Sequence, residues 1–182
     1  MNHLWLYLVL GYAIIWAAMI WADRKRGQPI EDVGLYQRIS KRQIALRGYL
    51  PLLALLVASV FIPANAGALF WVGLGLALVG VALNCIAMYS FSKMPGGLNT
   101  NGIYRFSRNP MYVGGFLFLV GLNIIGWRFS FANIAFAALT LVWAGATHWT
   151  VLEEEAFLIG KYGRAYDEFK RKIPRYVKII GE

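Results

Sequence analysis

The stretch LWLYLVLGYAIIWAAMIWA, Leu4–Ala22, runs for 19 residues without a charge. A helix rises 1.5 Å per residue, so about 20 apolar residues cross a hydrocarbon core about 30 Å thick. The run therefore reads as a membrane span. A cleaved signal peptide is the competing reading and is the weaker one, because no basic residue precedes the run and it is long for a signal's apolar region.

The rest of the chain agrees. Hydrophobic residues make up 59% of the 182 and charged residues 15%, against roughly 45–50% and about 25% in soluble domains. That excess must face lipid. Further apolar segments lie at Gly48–Pro63, Ala68–Phe91, Pro110–Trp127 and Ser130–Leu152. The first of these is the shortest and carries Pro51 in its first turn, where proline is tolerated. Ile62–Gly67 and Trp127–Ser130 read as tight turns. The expectation is an all-α integral membrane bundle of about five transmembrane helices with a C-terminal cytosolic or interfacial helix. It forms one domain over 1–182, with three spans in 1–92 and a loop, two spans and the tail in 93–182.

A net charge of +9 could suggest nucleic acid, but its placement argues against that partner. With five spans, Arg24, Lys25, Arg26, Arg38, Lys41, Arg42 and Arg47 fall on one side. So do Lys93, Arg105, Arg108, Lys161, Arg164, Lys170, Arg171, Lys172, Arg175 and Lys178. Only Arg128 of the eighteen falls on the other. By the positive-inside rule the N-terminus is outside and the C-terminus cytosolic. Basic loops there are attracted to anionic phospholipid headgroups, by about 1 kcal/mol per residue. The single cysteine, Cys85, lies inside the third span and has no intramolecular disulfide partner. His3 and His148 are far apart, and no cluster has metal-ligand spacing, so no metal is expected.

Three segments on the basic side carry chemistry. The loop Ser92–Asn109, with Gly96, Gly97 and Gly102, ends in Ser107-Arg-Asn-Pro-Met-Tyr-Val-Gly114. Asn109 as N-cap and Pro110 at the first helical position explain a helix start. They leave Arg108 and Tyr112 unexplained, beside Gly114, where a missing side chain permits close approach. Exposed N–H groups at such a start favour an anion such as a carboxylate. The second segment is Glu153-Glu154-Glu155 at the end of the fifth span, either a solvated helix cap or a site for a cation. The third is the tail, in which Phe157, Leu158, Tyr162, Tyr166 and Phe169 recur at mostly helical spacing, as in an interfacial amphipathic helix that Pro174 should end. Gly73, Gly75 and Gly80 read as close helix packing. Asn84 and Asn123 read as interhelical hydrogen-bond partners. His148, about two turns before Glu155, could share its face.

Arg108-Asn-Pro-Met-Tyr-Val-Gly114, followed by Glu154-Glu-Ala-Phe-Leu158, resembles the paired motif of the membrane methyltransferase superfamily. Its members include isoprenylcysteine carboxyl methyltransferases and phospholipid N-methyltransferases. Gly102-Ile-Tyr104, Tyr162-Gly163, Tyr166 and Pro174-Arg-Tyr176 extend the likeness, which covers roughly Gly97 to Tyr176. It implies S-adenosylmethionine as methyl donor, with Arg108, Asn109, Pro110, Tyr112 and Gly114 lining its pocket. Glu154 and Glu155 would meet its charged amino-acid end, while Tyr162 and Arg175 would help close the site. It also implies a membrane lipid or lipidated acceptor. Asn109 stands where the prenylcysteine enzymes typically have histidine, which tilts the acceptor toward a phospholipid amine. Glu154, Glu155 or His148 could then take the proton. A prenylcysteine carboxylate would instead need cations such as Arg175, Arg164 or Arg105. A non-catalytic membrane scaffold on the same fold is the rival of another class.

Overall fold

The computed structural model describes residues 3–26, 41–93 and 98–177. Arg38, Lys178, Gly96 and Gly97 lie outside the described residues. The chain is an all-α membrane bundle. Helix α1 spans Leu4–Arg26. A short α2, Lys41–Ile44, widens into a π-helix over Ala45–Tyr49 and continues as α3, Leu50–Val60. Then follow α4, Ala68–Ser92, a 3-10 turn at Gly102–Arg105, α5, Pro110–Ile125, α6, Phe131–Tyr162, and α7, Arg164–Lys172.

Three of these, α1, α4 and α6, are long and apolar enough to cross a membrane, while Ala45–Val60 and Pro110–Ile125 are shorter apolar helices. The two shorter ones are the second and fourth of the five expected spans. At 1.5 Å per residue each is about 24 Å long, short of a 30 Å core by about one turn. The π-helix has a local cause. Pro51 has no N–H to offer the carbonyl four residues back, at Arg47, so the turn before it opens.

One end of the bundle is closed by backbone pairing. The Leu4 N–H donates to the Ile62 carbonyl at 2.8 Å, and Asn65 N–H to the Ile125 carbonyl at 2.8 Å. Asn65 also donates from Nδ2 to the Trp127 carbonyl at 2.9 Å, and its Oδ1 accepts from Arg128 Nε at 3.2 Å. Residues 3 and 4 and both expected turns thus share one end, and Arg128, the one arginine or lysine there among the described residues, is tied down. Ser130 caps α6 by accepting from the Asn133 N–H.

The closest helix pair is α4 against α5, antiparallel and held by glycines seven residues apart on each. A Cβ at Gly73 would come within 2.6 Å of the Gly121 carbonyl oxygen, and one at Gly80 within 2.6 Å of that of Gly114. Gly75 does not share this role, since nothing lies within 4 Å of its missing Cβ. Asn84 also departs from expectation, because its Nδ2 donates to Gly80 of its own helix, at 3.4 Å. Asn123 does bridge helices, donating to Thr140 Oγ1 of α6 at 3.0 Å. We expect Gly80→Val to destabilise the protein by about 1–3 kcal/mol or more through overpacking, and Gly75→Ala to leave it unchanged. Melting curves in one detergent read both, and equal behaviour of the two variants would refute the glycine contact.

An apolar groove of about 790 Å³ opens between α1 and α3, lined by Leu8, Tyr12, Trp16, Tyr49 and Leu52 among others. The tail differs from one continuous interfacial helix. Gly163, at φ 52, breaks it, and α7 folds back. Its Tyr166 and Phe169 are buried against Tyr104 of the 3-10 turn, with Phe91, Met111 and Tyr162 around them. Of the apolar stripe that suggested a membrane surface, Tyr166 and Phe169 are covered by protein.

Candidate functional site

At the end opposite the paired turns, four elements meet: the 3-10 turn and its exit, the first turn of α5, the last three turns of α6, and the segment after α7. The three glutamates occupy successive positions on α6, and successive helical residues point about 100° apart. They therefore reach three different surroundings.

Glu153 points outward. Its Oε2 accepts from Arg47 Nη1 at 2.7 Å and its Oε1 from Trp149 Nε1 at 2.8 Å. This pair ties the π-helix to α6 at the surface. Glu155 points inward and is 5% exposed. Arg175 grips it with Nε to Oε1 at 3.0 Å and Nη2 to Oε2 at 2.9 Å, and Arg108 Nη1 reaches Oε1 at 3.0 Å. The Arg108 side chain is 7% exposed. A two-pronged guanidinium–carboxylate contact plus a second arginine is the strong form of a buried ion cluster. Pairing with Glu155 pushes the Arg175 pKa up and keeps that guanidinium charged.

Glu154 lies between them. Its Oε2 accepts from the Tyr112 hydroxyl at 3.4 Å. Among the described residues, no arginine or lysine comes within 4 Å of its carboxylate. Among the described residues, two buried polar atoms at this end lack a partner, Arg108 Nε and the Tyr104 hydroxyl. Burial pushes the Tyr104 hydroxyl pKa up; Glu154 adds to that shift and Arg26 opposes it. Buried polar groups are ordinarily paired. A carboxylate free of a cationic partner can host a cation, and unpaired donors can host an acceptor.

The backbone closes the site. Arg108 N–H donates to the Pro174 carbonyl at 3.0 Å, and Asn109 Nδ2 to the Arg175 carbonyl at 3.1 Å. Asn109 holds the N-cap position with Pro110 following, but its side chain makes no capping bond. It fastens the tail instead. Ser107, unremarked in the sequence, accepts from the Asn109 N–H at 3.1 Å. Tyr166 adds its hydroxyl 3.5 Å from Arg108 Nη1. Tyr162 packs in the small core beneath this layer.

Two expected members stand elsewhere. Gly114 faces α4, where its missing Cβ leaves room for Asn84 Nδ2 at 2.6 Å, so helix packing accounts for that glycine. His148 is exposed, with Nδ1 2.7 Å from the Tyr176 hydroxyl, and the structure does not bring it to the carboxylates. Arg26, read as a topology residue, is 7% exposed and lies at this end. No sequence signal separated it from Arg24 and Lys25. Among the described residues no group of three or more His, Cys, Asp or Glu could hold a metal ion.

Over 83 residues the chain is 29% identical to the protein-S-isoprenylcysteine O-methyltransferase of Schizosaccharomyces pombe. The match covers 46% of this chain and 34% of that enzyme, so the chain spans about a third of that relative's length. The sequence profile of the phospholipid methyltransferases matches residues 64–165, which include α4, α5, α6 and all three glutamates. With more than half of its length matched, the chain belongs to the phospholipid methyltransferase family.

Proposed function

We propose that the protein transfers a methyl group from S-adenosylmethionine to the amine of a membrane phospholipid, at a site facing the cytosol with the N-terminus outside. The observation that carries this reading is the open Glu154 carboxylate, set against a Glu155 already neutralised by Arg108 and Arg175. A carboxylate acceptor is expected to draw on Arg175, Arg164 or Arg105, and none of these three stands free beside Glu154. Arg175 is taken up by Glu155, and Arg105 and Arg164 are exposed. An amine acceptor needs instead a carboxylate able to receive a proton, and Glu154 supplies one.

The residues fit the donor. When bound, S-adenosylmethionine supplies a methyl group activated by a positively charged sulfur. Glu154 and the Tyr112 ring would hold a cation by charge and by the aromatic face. Arg108, with its unpaired Nε, would meet an anionic group. Asn109 and Arg175 keep the tail over the site, and Tyr166 and Phe169 exclude water from beneath. Glu154 takes the proton that the amine must lose, at a carboxylate oxygen. The chain's contribution is otherwise alignment and exclusion of water, and effective molarity can lower such a barrier by roughly 7–11 kcal/mol. The acceptor's tails would lie among the helices, for which the groove between α1 and α3 offers about 790 Å³.

A second reading, methylation of a prenylated cysteine carboxylate, draws on the likeness to the fission-yeast enzyme. Purified protein with methyl-labelled S-adenosylmethionine, phosphatidylethanolamine and a prenylcysteine analogue separates the two. We expect label in the phospholipid. Label in the prenylcysteine alone would replace the first reading with the second. Label in neither, with no binding of S-adenosylhomocysteine, would leave a non-catalytic scaffold.

A further inference from the structure

We propose that Arg26 binds the phosphodiester of the acceptor lipid while the lipid's amine faces Glu154. The inference rests on the phospholipid reading above and names the residue that recognises its headgroup.

Helix α1 ends in Arg24-Lys25-Arg26, and the three behave differently. Arg24 and Lys25 are exposed, and Lys25 Nζ lies over the Trp21 ring at 5.0 Å and that of Tyr89 at 5.8 Å. That is how a basic residue anchors a span at the interface. Arg26 is 7% exposed, with its guanidinium 3.7 Å from the centre of the Phe91 ring. Its Nε and Nη1 are buried and, among the described residues, without a hydrogen-bond partner. Asp23, one turn earlier, is within electrostatic reach of it. Setting topology requires no burial, as Arg24 and Lys25 show. A buried guanidinium with unpaired N–H groups is costly unless an anion completes it.

The surroundings indicate which anion. The Tyr104 hydroxyl is buried and, among the described residues, unpartnered as well, and it lies within electrostatic reach of both Arg26 and Glu154. Tyr162 is in reach of Arg26 from α6. Phe91, on which Arg26 stacks, packs on the small core around Tyr104, so a buried cation, a buried phenol and the Glu154 carboxylate belong to one region of the site. This arrangement matches a zwitterion. In an ethanolamine headgroup the phosphodiester and the ammonium are two carbons apart, so one molecule answers both poles. A prenylated cysteine offers a single carboxylate and would leave Glu154 idle. The amino-acid end of the methyl donor is also zwitterionic, and the experiment separates it from the lipid.

The measurement uses full-length protein in detergent, as wild type, Arg26→Gln, Arg26→Lys and, as exposed neighbour, Arg24→Gln. Native mass spectrometry scores retention of phosphatidylethanolamine against diacylglycerol, which has the same tails and no phosphate. Calorimetry gives the affinity for S-adenosylhomocysteine, and turnover gives the acceptor KM. We expect Arg26→Gln to lose the preference for phosphatidylethanolamine and raise the acceptor KM by about tenfold or more with kcat little changed. Its affinity for S-adenosylhomocysteine should stay at the wild-type value. Arg26→Lys should recover part of the loss, and Arg24→Gln should match wild type. Retained lipid preference in Arg26→Gln would overturn the proposal. Weakened S-adenosylhomocysteine binding would also overturn it and make Arg26 a cofactor residue. Should Arg26→Gln fail to fold, the wild type still decides. Preference for phosphatidylethanolamine over diacylglycerol, competed by soluble glycerophosphoethanolamine, supports the site, and no preference refutes it. Wild-type lipid preference that depends on Arg26, without methyl transfer, would sink the enzymatic reading and leave this one standing.

Discussion

Glu155→Gln is expected to lower the melting temperature of the solubilised protein sharply and to abolish S-adenosylhomocysteine binding with it. Glu155 is 5% exposed and pairs with two guanidinium groups. Removing one charge of a buried cluster leaves the others uncompensated, at a cost of about 3–5 kcal/mol. For a chain of this size each kcal/mol shifts the midpoint by about 2–4 °C. The two arginines should differ. Arg175 is 33% exposed on its side chain, so it can turn to water when Glu155 is lost. Arg108, at 7%, cannot. Arg108→Ala should therefore approach Glu155→Gln in severity, while Arg175→Ala should be milder. The backbone bonds from Arg108 to Pro174 and from Asn109 Nδ2 to the Arg175 carbonyl need no Arg175 side chain to hold the tail. A Glu155→Gln protein that melts with wild type would mean the cluster is not a structural element.

The spans were legible in the sequence because lipid exposure writes itself as uncharged runs, and Leu4–Ala22 marks α1 within a few residues of its true end at Arg26. Where helix and lipid part company, the reading fell short. Helix α6 continues ten residues past Leu152, to Tyr162. Hydropathy reports depth in the bilayer, whereas backbone hydrogen bonding carries on through the glutamates until Gly163 stops it. Gly73, Gly75 and Gly80 look alike in one dimension; only the register of α4 on α5 separates the two that touch from the one that does not.

The site was legible as a set of residues but not as an arrangement. Arg108, Asn109, Tyr112, Glu154, Glu155 and Arg175 do converge. That Glu155 pairs with Arg175 depends on the chain turning back after Gly163 and again at Pro174, and no local pattern encodes the landing point. His148 shows the converse: its helical offset from Glu155 suggested a shared face, yet it meets Tyr176 at the surface. Arg26 was hidden among three consecutive basic residues, since the ring it stacks on, Phe91, is distant in sequence.

Glu154→Gln is expected to reduce methyl transfer by about 10²–10⁴, the usual contribution of a positioned acid–base group, with the melting temperature unchanged. The amide keeps the size of the side chain and an oxygen for the Tyr112 hydroxyl, 3.4 Å away, so packing is preserved while the charge is removed. Glu153→Gln provides the contrast. Its partner Arg47 is 25% exposed on its side chain and Glu153 itself 33%, and pairs at the surface contribute about 0–1 kcal/mol. That variant should retain activity and stability. Adjacent glutamates on one helix then give three outcomes: surface pairing at 153, chemistry at 154 and site architecture at 155. The division follows from the 100° between successive side chains, which sends one carboxylate to Arg47, one to Tyr112 and one to the arginine pair. Turnover by Glu154→Gln at the wild-type rate would remove Glu154 from the reaction. The proton would then have to leave the amine by another route, because Glu155 is held by two cations and His148 is turned to Tyr176.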